Sequence, residues 1–107
     1  MTLEQTLIKA GLDEKQARIY LAGLELGSAT VLQISKKSGV KRPTTYVLLD
    51  QMVEDGIFIK SAREGRPQYI AARPDDLFRR VHEREEALKA SLPELAAIMA
   101  STKTRPK

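Results

Sequence analysis

Up to Gly56 the apolar residues of this chain recur at helical spacing, and from Ile57 to Ala71 they recur as in short strands. That single change of period constrains the fold more than any other feature. Helix starts before it are marked by a short polar residue followed three positions on by glutamine, a pair that satisfies orphan backbone N–H groups reciprocally. Thr2 with Gln5, Asp13 with Gln16 and Thr30 with Gln33 are such pairs. The first opens a short helix with Leu3, Leu7 and Ile8, ending at Gly11. The second sets Ala17, Tyr20, Leu21 and Leu24 on one inward stripe and stops at Gly27. The third turns Val31, Ile34 and Ser35 inward and closes at Ser38 and Gly39, after which Val40 re-enters the core. A fourth helix takes Pro43 in its first turn, where a missing N–H costs little, and runs to about Asp55 with Tyr46, Leu49, Met52 and Val53 inward.

Beyond Gly56, Ile57, Phe58 and Ile59 form one strand, Arg63 to Pro67 a turn, and Gln68 to Ala71 a returning strand with Tyr69 and Ile70. A lone hairpin is marginal in water, so its apolar face must pack on the helices. Pro74, Asp75 and Asp76 then open a last helix with negative charge at its positive end. Val81, Leu88 and Leu95 recur every seven residues along it; with Leu77 and Ile98 they form an apolar seam interrupted by Arg84 and Ser91. Pro93 is expected to kink or break this helix, and Ser91 with Glu94 to cap a fresh one.

The order predicts a mainly α fold with a small β-hairpin: a winged helix-turn-helix over residues 1–73, a C-terminal dimerisation helix over 74–100, and a basic, disordered tail over 101–107.

Charge follows the same division. The net +4 of the 107 residues lies almost wholly in the middle third: residues 36–73 hold eight basic against four acidic groups, residues 1–35 three against four, and residues 74–107 seven against six. So local an excess is the footprint of a polyanion binder. There is no cysteine, which excludes disulfides and thiolate metal sites, and His82 is the only histidine, so no metal set is expected. Glu83, Glu85 and Glu86 beside it read as a solvated helix face pairing with Arg79 and Lys89. No nucleophile–base set or phosphate loop is present, so neither an enzyme nor a cofactor is expected. No apolar run reaches membrane-spanning length, and the start is not a signal sequence, so the expected location is cytoplasmic, at the nucleoid.

The run Gly11-Leu12, Glu14 to Leu21, Leu24 and Gly27 resembles the first core helix of the TrmB-like winged-helix transcriptional regulators. Ala29-Thr30, Ile34 to Val40, Arg42, Tyr46, Leu49-Asp50 and Glu54-Asp55-Gly56 resemble that family's helix-turn-helix, in the same order. The resemblance covers residues 11 to about 73. It implies a recognition helix, a hairpin wing beside double-stranded DNA, and a long C-terminal helix pairing two subunits. Pro43 stands where the family usually has a small polar residue. The sequence holds no counterpart of the large sugar-binding domain of many members, so sugar sensing is not carried over and no small-molecule effector is assigned.

In helix-turn-helix proteins the N-terminal residues of the recognition helix reach base edges. Here those are Lys41, Arg42, Thr44 and Thr45, with Arg42 able to offer a fork to guanine and Gln51 farther along the outward side. Tyr46 is expected to pack its ring in the core and extend its hydroxyl toward a phosphate. Lys36 and Lys37 flank the turn; Arg63 and Arg66 straddle the wing tip. The expected function is sequence-specific DNA binding by a homodimer, with a protein-interaction module or a non-specific architectural DNA-binding protein as alternatives.

Overall fold

The computed structural model describes residues 1–102. Its order is α1 (Leu3–Lys9), α2 (Glu14–Leu26), α3 (Val31–Ser38), α4 (Arg42–Glu54), β1 (Phe58–Arg63), β2 (Arg66–Ala71) and α5 (Pro74–Ala100). The fold is mainly helical, a winged helix-turn-helix extended by a C-terminal helix. All three polar–glutamine pairs close as capping boxes, at Thr2, Asp13 and Thr30.

The turn between α3 and α4 is pinned from both sides. Gly39 adopts a left-handed φ of 76°, open to glycine without steric cost. The Ser35 hydroxyl donates to the Val40 carbonyl at 2.6 Å, and the Thr45 hydroxyl donates to the same carbonyl at 3.2 Å and to that of Lys41 at 2.9 Å. These bonds fix the angle at which α4 leaves α3.

Tyr20, Ile34, Leu49, Met52, Phe58 and Tyr69 fill the core. Gly23 sits against the edge of the Phe58 ring, leaving room for no side chain there. The buried face of α2 thus sets the small Ala17, Ala22 and Gly23 beside the large Ile19 and Tyr20. Leu24, expected inward, is exposed, because Ala22 and Gly23 admit the hairpin at that level. On α4 the buried set is Thr45, Leu49 and Met52, with Val53 half-buried, and Tyr46 is 44% exposed, which corrects its expected core position. Thr45 takes the inward place because its hydroxyl is satisfied within its own turn.

The hairpin is longer than the apolar pattern suggests. Its strands pair antiparallel from Phe58 with Ala71 to Arg63 with Arg66, leaving only Glu64 and Gly65 as the loop. Both loop residues have positive φ, 54° and 76°, the type I′ arrangement that matches the strand twist. Ile59 and Ile70, directly paired, lie on the exposed face. One further pairing has no sequence signal: Ala29 and Tyr69 bridge antiparallel, with N···O distances of 2.7 and 3.1 Å.

Only the first turns of α5 touch the domain. Leu77 is buried in the shared core, Arg80 stacks over Gly56, and Arg84 reaches Asp55 at 3.4 Å. From His82 to Ala100 every residue is exposed. The helix passes through Pro93 without interruption, so the fresh start expected at Ser91 does not form. The Ser91 hydroxyl instead donates to the Ala87 carbonyl at 3.1 Å, and Pro93 lies in a stretch whose residues are all exposed, so the backbone bond it forgoes is lost next to water, which can replace it. Ser101 and Thr102 close the helix, with hydroxyls donating to the Ile98 carbonyl. The remainder of the expected disordered tail lies outside the described residues.

Candidate nucleic-acid interface

The fourth helix starts unlike the first three. Its N-cap is Lys41, no side chain caps it, and no acidic residue lies in its first turn. The helix dipole and the Lys41 and Arg42 charges therefore add at one end, with backbone N–H groups open to an anion. Pro43 in this turn removes one donor at a position that has no intrahelical partner in any case.

Around that end the candidate residues divide. Arg42 and Tyr46 turn toward the wing and line, with Arg66, Pro67 and the first turn of α3, an open groove of about 300 Å³. Helix and wing thus present one continuous surface rather than two. Thr44 is half-buried and turns the other way, into a depression shared with Asp13, Glu14 and Leu48. Thr45 is fully buried, so its expected place among the base-contacting residues is corrected: its oxygen is committed to the Val40 and Lys41 carbonyls. Gln51 is exposed on the outward side.

Of the two lysines closing α3, Lys36 is exposed with no ion pair among the described residues, whereas Lys37 pairs with Glu25 of α2 at 3.0 Å. Arg63 and Arg66 face each other across the last strand pair, both exposed. Lys60 sits 5.7 Å from the Tyr69 ring centroid, a cation–π contact. The Tyr69 hydroxyl donates to Asp50 of α4 at 3.4 Å; burial, then the Asp50 charge, raises its pKa and keeps it a donor. Sequence reasoning passed over Val47, which is 57% exposed at the centre of the outward face of α4. Its signal was its offset of two residues from both Thr45 and Leu49 on the helix.

The seam expected along α5 is shifted. Leu77 belongs to the domain's own core and is unavailable to a partner, and Val81 is half-buried. Farther along, Leu88, Leu92, Leu95 and Met99 form an exposed stripe at alternating spacings of four and three, extended toward the domain by Phe78 and Val81 and broken at Glu85. Ile98 is exposed beside it. Among the described residues no acidic or histidine group is arranged to hold a metal, and no helix is long and apolar enough to cross a membrane.

The family profile described as sugar-specific transcriptional regulator TrmB matches residues 7–75, more than half of the sequence. The chain belongs to the TrmB family. Within solved structures this TrmB-family chain is similar to TrmBL2, described as an archaeal chromatin protein with a novel mode of DNA binding. The TM-score is 0.65 and the identity 25%, over 92% of this chain and 42% of TrmBL2. It therefore spans about two fifths of that relative. A MarR family transcriptional regulator from Silicibacter pomeroyi shares the fold with a TM-score of 0.59 at 21% identity, over 89% of this chain and 64% of its own. So does BpsR of Bordetella bronchiseptica, whose DNA binding is described as regulated by 6-hydroxynicotinic acid, with a TM-score of 0.58 at 14% identity over 97% and 72%. Among curated proteins none matches the sequence. The family and the fold are those of DNA-binding transcriptional regulators.

Proposed function

We propose that this TrmB-family chain binds double-stranded DNA as a homodimer with sequence preference and regulates transcription at the nucleoid. Residues 1–73 form the DNA-binding unit and residues 74–100 the pairing helix. The observation that carries the reading is the surface on which Arg42 and Tyr46 of α4 meet Arg66 of the wing across one groove. With α4 in the major groove, this arrangement sets Arg63 and Arg66 against the neighbouring backbone or minor groove. Lys36 and Lys41 flank it as phosphate contacts, which position the protein more than they select sequence.

Pairing through α5 is supported by its isolation. A helix segment of this length without tertiary contacts is marginal in water, and the stripe of Leu88, Leu92, Leu95 and Met99 is self-complementary. A second copy covers it. Two recognition helices then address half-sites about one turn, roughly 10 bp, apart.

Fluorescence anisotropy against the gene's own upstream DNA and an unrelated duplex, at two salt concentrations, tests the DNA reading. Lys36, Lys41, Arg42, Arg63 and Arg66 are exposed in each copy. If all ten in a dimer met phosphates, the log–log salt slope would be about −9. A slope of several units, a preference for the upstream duplex, and loss of that preference in Arg42→Ala are expected. Salt-insensitive binding, or none at low salt, would remove the DNA reading. Sedimentation equilibrium on the wild type and on Leu92→Glu tests the dimer, which fails if the wild type is a monomer, while pairing through this stripe fails if both are dimers. TrmBL2's description as a chromatin protein favours a second reading, architectural binding without sequence preference, in which both duplexes bind equally.

A further inference from the structure

The outward face of α4 has an apolar centre. Its buried positions, Thr45, Leu49 and Met52, lie opposite Pro43 and Val47 on the helix. Arg42 and Tyr46 turn toward the wing, Thr44 and Leu48 toward the start of α2, so donors flank this strip rather than occupy it. Asp50, Gln51 and Glu54 follow one to two turns on, all exposed. Val47 is 57% exposed in mid-helix. A β-branched residue there gains neither from packing nor from helix propensity. Nor can it bond a phosphate or a base edge. What the major groove offers an apolar side chain is the methyl group at C5 of a pyrimidine, which thymine carries and cytosine and uracil lack.

This step rests on the DNA-binding reading above. Within it, we infer that Val47, with Pro43 beside it, is a specificity-determining residue that packs on a pyrimidine 5-methyl group in the major groove. Thymine supplies that group; 5-methylcytosine carries the same chemistry.

The test is anisotropy of the full chain at low salt with a mixed-sequence duplex and with the same duplex carrying deoxyuridine for every thymine, a change that deletes the methyl and keeps every hydrogen-bonding edge. Each contacted methyl is expected to contribute about fourfold, from roughly 0.8 kcal/mol per buried methyl-sized group. Val47→Ala, which removes both γ-methyl groups and leaves Pro43 in place, should bring the ratio between the two duplexes most of the way to one. Its fold is not at risk, since the site is exposed and alanine is the stronger helix former, and circular dichroism checks this. Equal binding of both duplexes by the wild type overturns the methyl contact while leaving DNA binding standing. A thymine preference that survives undiminished in Val47→Ala overturns the assignment to this residue. Binding to neither duplex removes the DNA reading itself. A third duplex with 5-methylcytosine for cytosine separates the sources: tighter binding that Val47→Ala abolishes extends the contact to methylated cytosine, and no gain confines it to thymine.

Discussion

Replacing Gly23 with alanine sets two well-characterised effects against each other at the seat of the hairpin. Alanine favours the helix over glycine by about 1 kcal/mol. The added methyl, however, would stand 2.6 and 2.7 Å from the Phe58 ring edge and 3.2 Å from the Ala71 Cβ, against 3.4 Å for ordinary contact. Phe58 is 1% exposed and meets Tyr20 edge to face, with centroids 6.3 Å apart at 84°. Its ring must move most of an ångström inside a close-packed core, which belongs in the upper part of the roughly 1–3 kcal/mol range for overpacking. The net expectation for Gly23→Ala is a loss of about 1–2 kcal/mol, or a fall of roughly 5–15 °C in melting temperature. Thermal and urea denaturation followed by circular dichroism measure it, at one protein concentration, because the proposed pairing would make stability depend on concentration. In a Phe58→Leu background the methyl finds room, and the cycle should show more than about 1 kcal/mol of coupling. A Gly23→Ala protein as stable as the wild type, or a cycle without coupling, would refute the close approach as the reason for glycine here. Because Phe58 opens β1, the same substitution should also weaken DNA binding by displacing the wing.

Four further outcomes are expected. Glu64→Asn should raise stability by up to about 1 kcal/mol, since asparagine tolerates the positive φ of 54° better than glutamate, and should tighten DNA binding by removing an acidic group between Arg63 and Arg66; unchanged melting and affinity would count against it. Thr45→Val should cost about 1 kcal/mol in a urea titration through lost hydroxyl bonds, while leaving the order of preference among duplexes unchanged. Tyr20 donates to the Ala72 carbonyl at 2.7 Å, and burial first, then Asp76, raises its pKa above the ordinary 10.0. Folding favours its protonated form, so this contribution is complete below about pH 10 and is lost as pH rises through the higher folded value; melting curves above pH 10 should fall less steeply in Tyr20→Phe. Leu95→Asp should shift the chain from dimer to monomer in sedimentation equilibrium and lower affinity for a two-half-site duplex more than for a single half-site.

What the sequence disclosed was mostly local chemistry. The three capping boxes, the turn at Gly39 and the change of period at Gly56 each depend on residues within a few positions of one another, and each has its counterpart in the fold. Errors arose where a side chain's place depends on a distant partner. Tyr46 looks like core by its aromatic ring, yet the neighbouring Thr45, satisfied by two carbonyls of its own turn, fills the inward position. Leu24 looks like core by its spacing, yet a glycine beside it is where Phe58 approaches. On α5, tracking sevens through Val81, Leu88 and Leu95 overlooked Leu92 and Met99, which complete the four–three spacing, and included Leu77, which the domain itself buries. Of the candidate interface, the basic residues were legible from charge, whereas the sharing of one groove by Arg42 and Arg66 arises only through folding.

Tyr69 joins three parts of the molecule: its backbone pairs with Ala29 ahead of α3, its hydroxyl reaches Asp50 on α4, and its ring carries Lys60 of the wing. Helix and wing are thereby fixed in relation to each other before any duplex arrives, so ordering them takes nothing from the free energy of association. A surface assembled in advance meets every sequence at a similar rate. On the proposed reading, discrimination between duplexes falls on how long each complex lasts, and dissociation rates rather than association rates are where preferred and unrelated sequences should part.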